Sequence, residues 1–204
     1  MGYLTVRVLD RVCRTRTRTW LALTVGMIPD VDLFFAPFGL QHHTYTHSIL
    51  LWLPFLILAC FSTSFIPVYF GIVQHMLDDM LVGPVPLFLP LSRIQFGFNF
   101  GMPSTPDTLM ECASFLVAAL VAYRNGDIRR LLSVKPESFW SIIPLSAICS
   151  MTLVASQEFR VNLATYAFAG KNLSIISLSH ITIAAFLTLS CLQGVRALAK
   201  PPRH

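Results

Sequence analysis

The chain has 204 residues, of which 54% are hydrophobic and only 12% are charged, and its net charge is +5. A soluble globular domain usually carries about 25% charged residues. The composition therefore excludes a disordered chain, a coiled coil and an ordinary soluble enzyme, and it predicts a multi-pass membrane protein.

Six apolar segments follow one another along the chain, and each is predicted to be helical. They are residues 20–28, 48–61, 65–81, 107–123, 138–156 and 173–192. The last two approach the roughly 20 residues that cross a bilayer, whereas the first three are short for that task. The expected fold class is all-α: a multi-pass transmembrane helical bundle of about six segments, some of them short or half-buried around a polar site.

Basic residues are concentrated in three places outside these segments, and this pattern predicts the topology. Lys and Arg are enriched in cytoplasmic loops. We expect a basic cytoplasmic N-terminus at 1–19, a metal-site membrane domain at 20–123, a basic linker at 124–137, and two further transmembrane helices with a basic tail at 138–204. Both termini are then cytoplasmic, and the expected location is the cytoplasmic (inner) membrane.

The same basic segments bear on the expected partners. Next to a membrane helix, an Arg-rich stretch is more often a topology signal than a nucleic-acid patch. We therefore expect membrane lipids as partners and no nucleic acid. The apolar run at 20–28 ends at Pro29-Asp30 without a small-residue cleavage site, which favours a retained membrane segment over a signal peptide.

Acidic side chains greatly outnumber fixed cations in the first apolar half of the chain. Between residues 19 and 123, Arg93 is the one Lys or Arg, and the acids are Asp30, Asp32, Asp78, Asp79, Asp107 and Glu111. Unpaired carboxylates are costly in an apolar setting. Four histidines lie in the same region, and clustered Asp and His are common ligands of a divalent metal, with zinc the first expectation.

The spacing of these residues suggests how they would meet. His75 and Asp79 are four apart on a predicted helix, so they share a face, and Asp78 lies near it. Asp30 and Asp32 follow Pro29; in an extended turn their carboxylates would point to opposite sides. One would then bind metal while the other orients a ligand histidine.

Two further histidines precede the second apolar segment. His42 and His47 are five apart, too far round a helix to share a face. A loop that enters the helix at Ser48 would let both converge on the site.

Four short motifs, taken together and in this order, resemble one protein family. They are Pro29-Asp30-Val31-Asp32, His42-His43-Thr44-Tyr45-Thr46-His47-Ser48, His75-Met76-Leu77-Asp78-Asp79 and Pro84-Val85-Pro86-Leu87-Phe88-Leu89-Pro90. The pattern is similar to that of the YdjM-like family, described as LexA-binding, inner-membrane-associated, metal-dependent hydrolases. The resemblance covers roughly residues 20 to 115.

This resemblance implies a set of site residues. The implied metal ligands are Asp30, Asp32, His42, His47, His75 and Asp79; His43, Thr46 and Ser48 would support them by hydrogen bonding or capping. Glu111 matches an acid early in the family's next helix. His43-Thr44 stands where the family has Arg-Gly, and no histidine precedes His42, so an anion-binding arginine or one ligand would be lacking.

A looser likeness is to zinc-dependent phospholipase C enzymes, and it suggests a phosphoester substrate. The leading hypothesis is a metal-dependent hydrolase at the membrane, acting on a phosphoester or lipid-linked substrate through metal-activated water. Its general base would be Glu111 or Asp78, with Asp32 a further candidate.

Two alternatives stay open. In the first, the bound metal only holds short helices together in a non-enzymatic scaffold. In the second, the buried acids and histidines form a proton or cation pathway, to which His180 would contribute.

Overall fold

A computed structural model describes residues 1–38, 42–98, 100, 104–158 and 170–199; nothing is stated for the side chains of residues 34, 36–38 and 154–158. Within these residues the chain is all-helical, and one isolated bridge pairs Val85 with Phe96. The all-α prediction is confirmed for this part of the chain.

The helices occur in the following order. The α-helices are α1 (Gly2–Val12), α2 (Thr19–Val25), α3 (Ile49–Ala59), α4 (Phe65–Val82), α5 (Thr105–Arg124), α6 (Asp127–Leu131), α7 (Ile142–Glu158) and α8 (Lys171–Leu198). Three 3₁₀ helices lie at Pro29–Phe38, Tyr45–His47 and Pro136–Ser141. The six predicted apolar segments correspond to α2, α3, α4, α5, α7 and α8, whereas α1 and α6 were not predicted.

Three of the described helices are long and apolar enough to cross a membrane: α4, α5 and α8. By contrast, α3 has 11 residues and is about 16 Å long, roughly half the thickness of a bilayer's hydrocarbon core. These lengths support association with a membrane. The number of crossings, about six in the sequence prediction, and the side on which the termini lie both stay predictions.

The first helix packs against α2 and α4 through a contact between glycines. A Cβ on Gly71 would lie 2.5 Å from Val25 Cγ1 and 2.8 Å from Val6 Cγ2, and a Cβ on Gly2 would lie 2.6 Å from the Cα of Gly26. Because no side chain separates the backbones, α1 sits close to both helices. Val6 and Val25 are fully buried there, so α1 is part of the core.

A buried polar network connects α1, α2 and α6. It lies at the end of these helices that the sequence predicts to be cytoplasmic. Asp127 is fully buried and accepts hydrogen bonds from Tyr3 (2.8 Å) and Thr19 (3.1 Å). The Nε of Arg7 lies 2.7 Å from Asp127 Oδ2, and Arg130 Nη1 lies 2.9 Å from Asp127 Oδ1. One carboxylate therefore joins α1, the start of α2 and α6.

The proline-rich loop after α4 folds back onto that helix. Val85 and Leu87 are buried in the same core as Met76, while Phe88 and Leu91 are exposed, the latter at 83%. The described part of this loop is thus ordered and presents an apolar outer surface.

Candidate metal centre

The first acidic motif lies on a 3₁₀ helix that starts directly after the turn ending α2. The expected extended turn is therefore wrong: with three residues per turn, Asp30 and Asp32 are 120° apart instead of opposed. Both carboxylates are buried, at 5% and 2% exposure. They nevertheless take different partners, as described below.

Four side-chain atoms from three segments converge on one point. Asp30 comes from the 3₁₀ helix, His47 from the short helix before α3, and His75 and Asp79 from one face of α4. His75 Nε2 lies 3.2 Å from Asp30 Oδ1 and 3.1 Å from Asp79 Oδ2. His47 Nε2 lies 3.4 Å from Asp30 Oδ1 and 3.1 Å from Asp79 Oδ2.

These distances match those between the ligands of a tetrahedral metal ion. Zinc binds imidazole nitrogen and carboxylate oxygen at about 2.0–2.1 Å, which places tetrahedral ligands roughly 3.3 Å apart. All four donor atoms lie within 4.8 Å of one another. Two imidazoles and two carboxylates also form a donor set that suits a divalent transition metal.

Three of the four donor atoms have no hydrogen-bond partner among the described residues. His47 Nε2, His75 Nε2 and Asp79 Oδ2 are all buried without one, although they lie at hydrogen-bonding distances from each other. Buried polar atoms are normally satisfied. These three atoms lie close together without such a bond, and a cation placed between them would satisfy them.

A chain of hydrogen bonds sets the orientation of His47. Thr46 Oγ1 donates to Asp32 Oδ2 at 2.7 Å and lies 3.1 Å from His47 Nδ1. Because the single hydroxyl proton goes to Asp32, the hydroxyl oxygen accepts from His47 Nδ1–H. The lone pair of neutral His47 is then on Nε2, directed at the four-atom cluster, as a metal ligand requires.

His42 lies beside the four donors and is held by Asp32. Its Nδ1 lies 3.0 Å from Asp32 Oδ1, and its Nε2 lies 3.9 Å from Asp30 Oδ1. The side chain of His42 is 29% exposed, whereas that of His47 is fully buried. His42 is thus the accessible imidazole at the edge of the cluster, and Asp32 orients both histidines.

His43 packs on the outside of this group. Its ring centroid is 3.9 Å from that of His42, and its Nε2 is 3.9 Å from Asp79 Oδ2. Its backbone is in the left-handed region, with φ 58°, which is unfavourable for a residue with a Cβ. Local strain of this kind persists where surrounding contacts impose it.

The pKa shifts of Asp30 and Asp32, which lie outside α4, follow from this geometry. Burial opposes ionisation of Asp30, but His75 and His47 outweigh it and lower the pKa of Asp30 to about 2. The pKa of Asp32 is also lowered, because interactions with His42, His47 and Thr46 exceed the effect of burial.

The histidines differ among themselves. Burial disfavours the charged form of His47, but Asp30, Asp32 and Asp79 outweigh it and raise its pKa to about 10. Burial, and then the charge of His42, lower the pKa of His43 to about 4. Protons on the ligand histidines therefore neutralise the carboxylates, and a metal ion would replace them.

Two residues at the start of α3, Ser48 and Trp52, also support the site. Ser48 caps α3 by accepting from Leu50 N at 3.3 Å, and its hydroxyl lies 2.7 Å from the carbonyl of Leu89 in the proline-rich loop. Trp52 Nε1 donates to the carbonyl of Thr46 at 2.7 Å. Sequence reasoning missed Trp52; its indole N–H, the one side-chain hydrogen-bond donor in α3, is the signal that would have found it.

The two predicted general bases lie elsewhere. Asp78 accepts from Gln74 at 3.0 Å and lies 3.8 Å from the amino nitrogen of Met1. Glu111 is one turn from Asp107, whose carboxylate is buried without a hydrogen-bond partner in the described chain. No hydrogen bond or ion pair between described residues links Asp78 or Glu111 to the four donors. Their catalytic role stays a prediction.

Comparison of the chain with protein-family models, with curated proteins and with solved structures gives no match. The resemblance to the YdjM-like family therefore rests on the short motifs and their order, and it stays a prediction.

Proposed function

We propose that this chain is a membrane-associated, metal-dependent hydrolase whose metal ligands are Asp30, His47, His75 and Asp79. The observation that carries the proposal is the convergence of four buried donor atoms, three of them without a hydrogen-bond partner. The motifs imply six ligands, and these four are among them; Asp32 and His42 are the other two. Zinc is the first candidate for the metal because the donor set is two nitrogens and two oxygens at tetrahedral spacing.

A divalent metal in this position supplies two chemical effects: it lowers the pKa of bound water, and it polarises a scissile bond. The protein's own contribution to the reaction is then proton transfer. His42 is suited to it, because Asp32 fixes Nδ1 as the donor and leaves the lone pair of Nε2 facing the cluster. We therefore propose His42 Nε2 as the proton acceptor, with Asp32 as its orienting carboxylate.

The proposed substrate is a phosphoester or lipid-linked phosphoester. The apolar, proline-rich loop after α4 supports this choice, since Ile49 N donates to Leu87 O at 2.9 Å, which attaches the loop beside His47. Exposed side chains of that loop, such as Phe88 and Leu91, would face an acyl chain.

The test is turnover of a chromogenic phosphodiester by detergent-purified protein before and after chelation. Activity should be lost with the chelator and restored by zinc or a related metal. His75→Ala should lose both metal and activity, whereas His42→Ala should keep metal and lose activity. Turnover that survives His75→Ala would overturn the hydrolase proposal, and loss of metal in His42→Ala would make His42 a ligand instead of a base.

A structural metal site is the second candidate. The observation favouring it is that the four ligands come from three separate segments, while no hydrogen bond or ion pair between described residues joins Asp78 or Glu111 to them. A metal there would hold together the 3₁₀ helix Pro29–Phe38, the short helix Tyr45–His47 and α4, without catalysing a reaction. In that case chelation should unfold the protein, and no phosphoester should be hydrolysed.

A further inference from the structure

The two basic segments that the sequence predicts to be cytoplasmic meet in space around a cavity. Its volume is about 300 Å³, and four cations line it: Arg16, Arg18, Arg130 and Lys135. Glu137 is the one acid in the lining. The cavity is thus strongly basic, although its residues come from opposite halves of the chain.

Most of this positive charge has no counter-charge. Arg130 bonds to Asp127 at 2.9 Å, but the side chains of Arg16, Arg18 and Lys135 make no hydrogen bond or ion pair with any described residue. Cations that share a cavity repel each other, and an anion between them relieves that repulsion. Phosphate is the anion that arginine recognises best, through paired N–H donors.

The cavity is held in shape by the buried carboxylate of Asp127. Asp127 Oδ1 accepts from both Thr19 and Arg130, at 3.1 and 2.9 Å, and both of these residues line the cavity. The position of the cavity is therefore set by the buried Asp127 carboxylate.

A second, apolar cavity adjoins the basic one. Its volume is about 610 Å³; it shares Arg18, Lys135 and Glu137 with the first, and its other lining residues are Pro136, Phe139, Trp140 and Leu198. Trp20 lines the basic cavity and Trp140 the apolar one, and the two indoles stack at 6.0 Å between ring centroids. A ligand that spans both cavities needs an anionic head and an apolar tail.

The location agrees with such a ligand. Leu198 is the last residue of α8, one of the helices able to cross a membrane. Trp140, on the 3₁₀ helix Pro136–Ser141, lines the same cavity as Leu198. Tryptophans are enriched at the membrane–water interface, and basic pockets there bind anionic lipid headgroups.

We propose that these joined cavities bind an anionic phospholipid, with its phosphate between Arg16, Arg18 and Lys135 and an acyl chain along Trp140. The site shares no residue with the metal centre, so the proposal does not depend on the hydrolase function. A free phosphate is also an anion, but it would leave the apolar cavity unused.

The first experiment is native mass spectrometry of the full, delipidated chain in neutral detergent. The probes are phosphatidylglycerol, phosphatidylcholine with the same acyl chains, and inorganic phosphate. We expect one phosphatidylglycerol to be retained at least about tenfold more tightly than phosphatidylcholine, and no retention of phosphate. Equal binding of the two lipids, or tight binding of phosphate alone, would overturn the proposal.

A pair of double variants separates the cavity from general surface charge. Arg18→Gln/Lys135→Gln should weaken phosphatidylglycerol binding about tenfold or more. Arg124→Gln/Arg129→Gln also removes two positive charges, but from exposed positions that line neither cavity. This pair should change binding less than about twofold. Equal weakening by both pairs would show a nonspecific charge effect, and circular dichroism would verify that both variants are folded.

The acyl chain is tested separately with phosphatidylglycerol brominated on its chains. Bromine should quench the fluorescence of Trp140, one of three tryptophans in the chain. Quenching that is lost in Trp140→Phe supports the proposed orientation, whereas unchanged quenching in that variant would contradict it.

Discussion

Asp30 Oδ1 and His75 Nε2 lie 3.2 Å apart, yet His75 Nε2 makes no hydrogen bond to any described residue. Donor atoms of His47 and Asp79 lie in the same group, and all four donor atoms are within 4.8 Å of one another. That relationship distinguishes this group from an ordinary buried ion-pair network, in which donors point at acceptors. It leads directly to predictions about metal content.

We predict that the protein purified in detergent carries about one zinc or related ion per chain. His47→Ala/His75→Ala should remove it, because two of four ligands are lost. His180→Asn, which alters a histidine in α8 outside the cluster, should retain it. Elemental analysis of the three proteins is the measurement; a folded, metal-free wild type that takes up no added metal would exclude the site.

The two carboxylates of the first motif should differ in their effect on metal affinity. Asp30→Asn removes a ligand oxygen, so we expect metal binding to be largely lost. Asp32→Asn disturbs the hydrogen bonds to Thr46 and His42 without removing a ligand, and we expect affinity to fall about 10–100-fold. Competition with a chromogenic chelator measures both. If Asp32→Asn had the larger effect, Asp32 would be the ligand.

The stability of the protein should respond to pH in opposite directions with and without metal. The pKa of His47 is raised from 6.5 to about 10 in the metal-free fold, so its stabilising effect is complete below 6.5 and is lost as the pH rises through 10. With metal bound, His47 is neutral, and stability should rise over the same range as protons cease to compete.

Thermal unfolding between about pH 6 and pH 9, with chelator or with zinc, measures this difference. His47→Asn should reduce the slope in both conditions. The same downward slope with zinc as with chelator would mean that the metal does not bind His47.

Gly71→Ala should destabilise the fold by about 1–3 kcal/mol. Its new Cβ would lie 2.5 Å from Val25 Cγ1 and 2.8 Å from Val6 Cγ2, which forces α1 away from α2 and α4. Gly83→Ala is the control, since nothing lies within 4 Å of its Cβ. Chemical denaturation in detergent compares the two; equal stability would contradict the close packing of α1.

Asp127→Asn should cost about 3–5 kcal/mol, because the buried cation of Arg7 loses the carboxylate at 2.7 Å. The matched comparison is Arg11→Gln, which breaks an exposed 2.9 Å bond to Asn125 and should change stability by less than about 0.5 kcal/mol. Denaturant unfolding of both variants is the measurement. A small effect of Asp127→Asn would mean that Asp10, 2.8 Å from Arg7 Nη1, is enough to neutralise Arg7.

Much of the helical framework could be predicted from local composition. The apolar segments at 65–81 and 173–192 lie within α4 and α8, because long apolar runs favour helix in an apolar surrounding; Pro67 falls in the first turn of α4, where proline is tolerated. The pairing of His75 with Asp79 was equally predictable, since it depends only on helical periodicity. By contrast, α1 mixes Arg7 and Asp10 with apolar residues, and its charges indicated a solvent-exposed tail.

The rest depended on contacts between distant residues. Arg7 is neutralised by Asp10 on its own helix and also by Asp127, far along the chain, and no local pattern encodes the second pairing. In the same way, Asp30 and Asp32 have similar local surroundings, and only the positions of His75 and His42 separate their roles. Residue types and spacing predicted a His and Asp cluster, because those properties are local; which atoms face a common centre is decided by how the helices pack, which is a property of the whole chain.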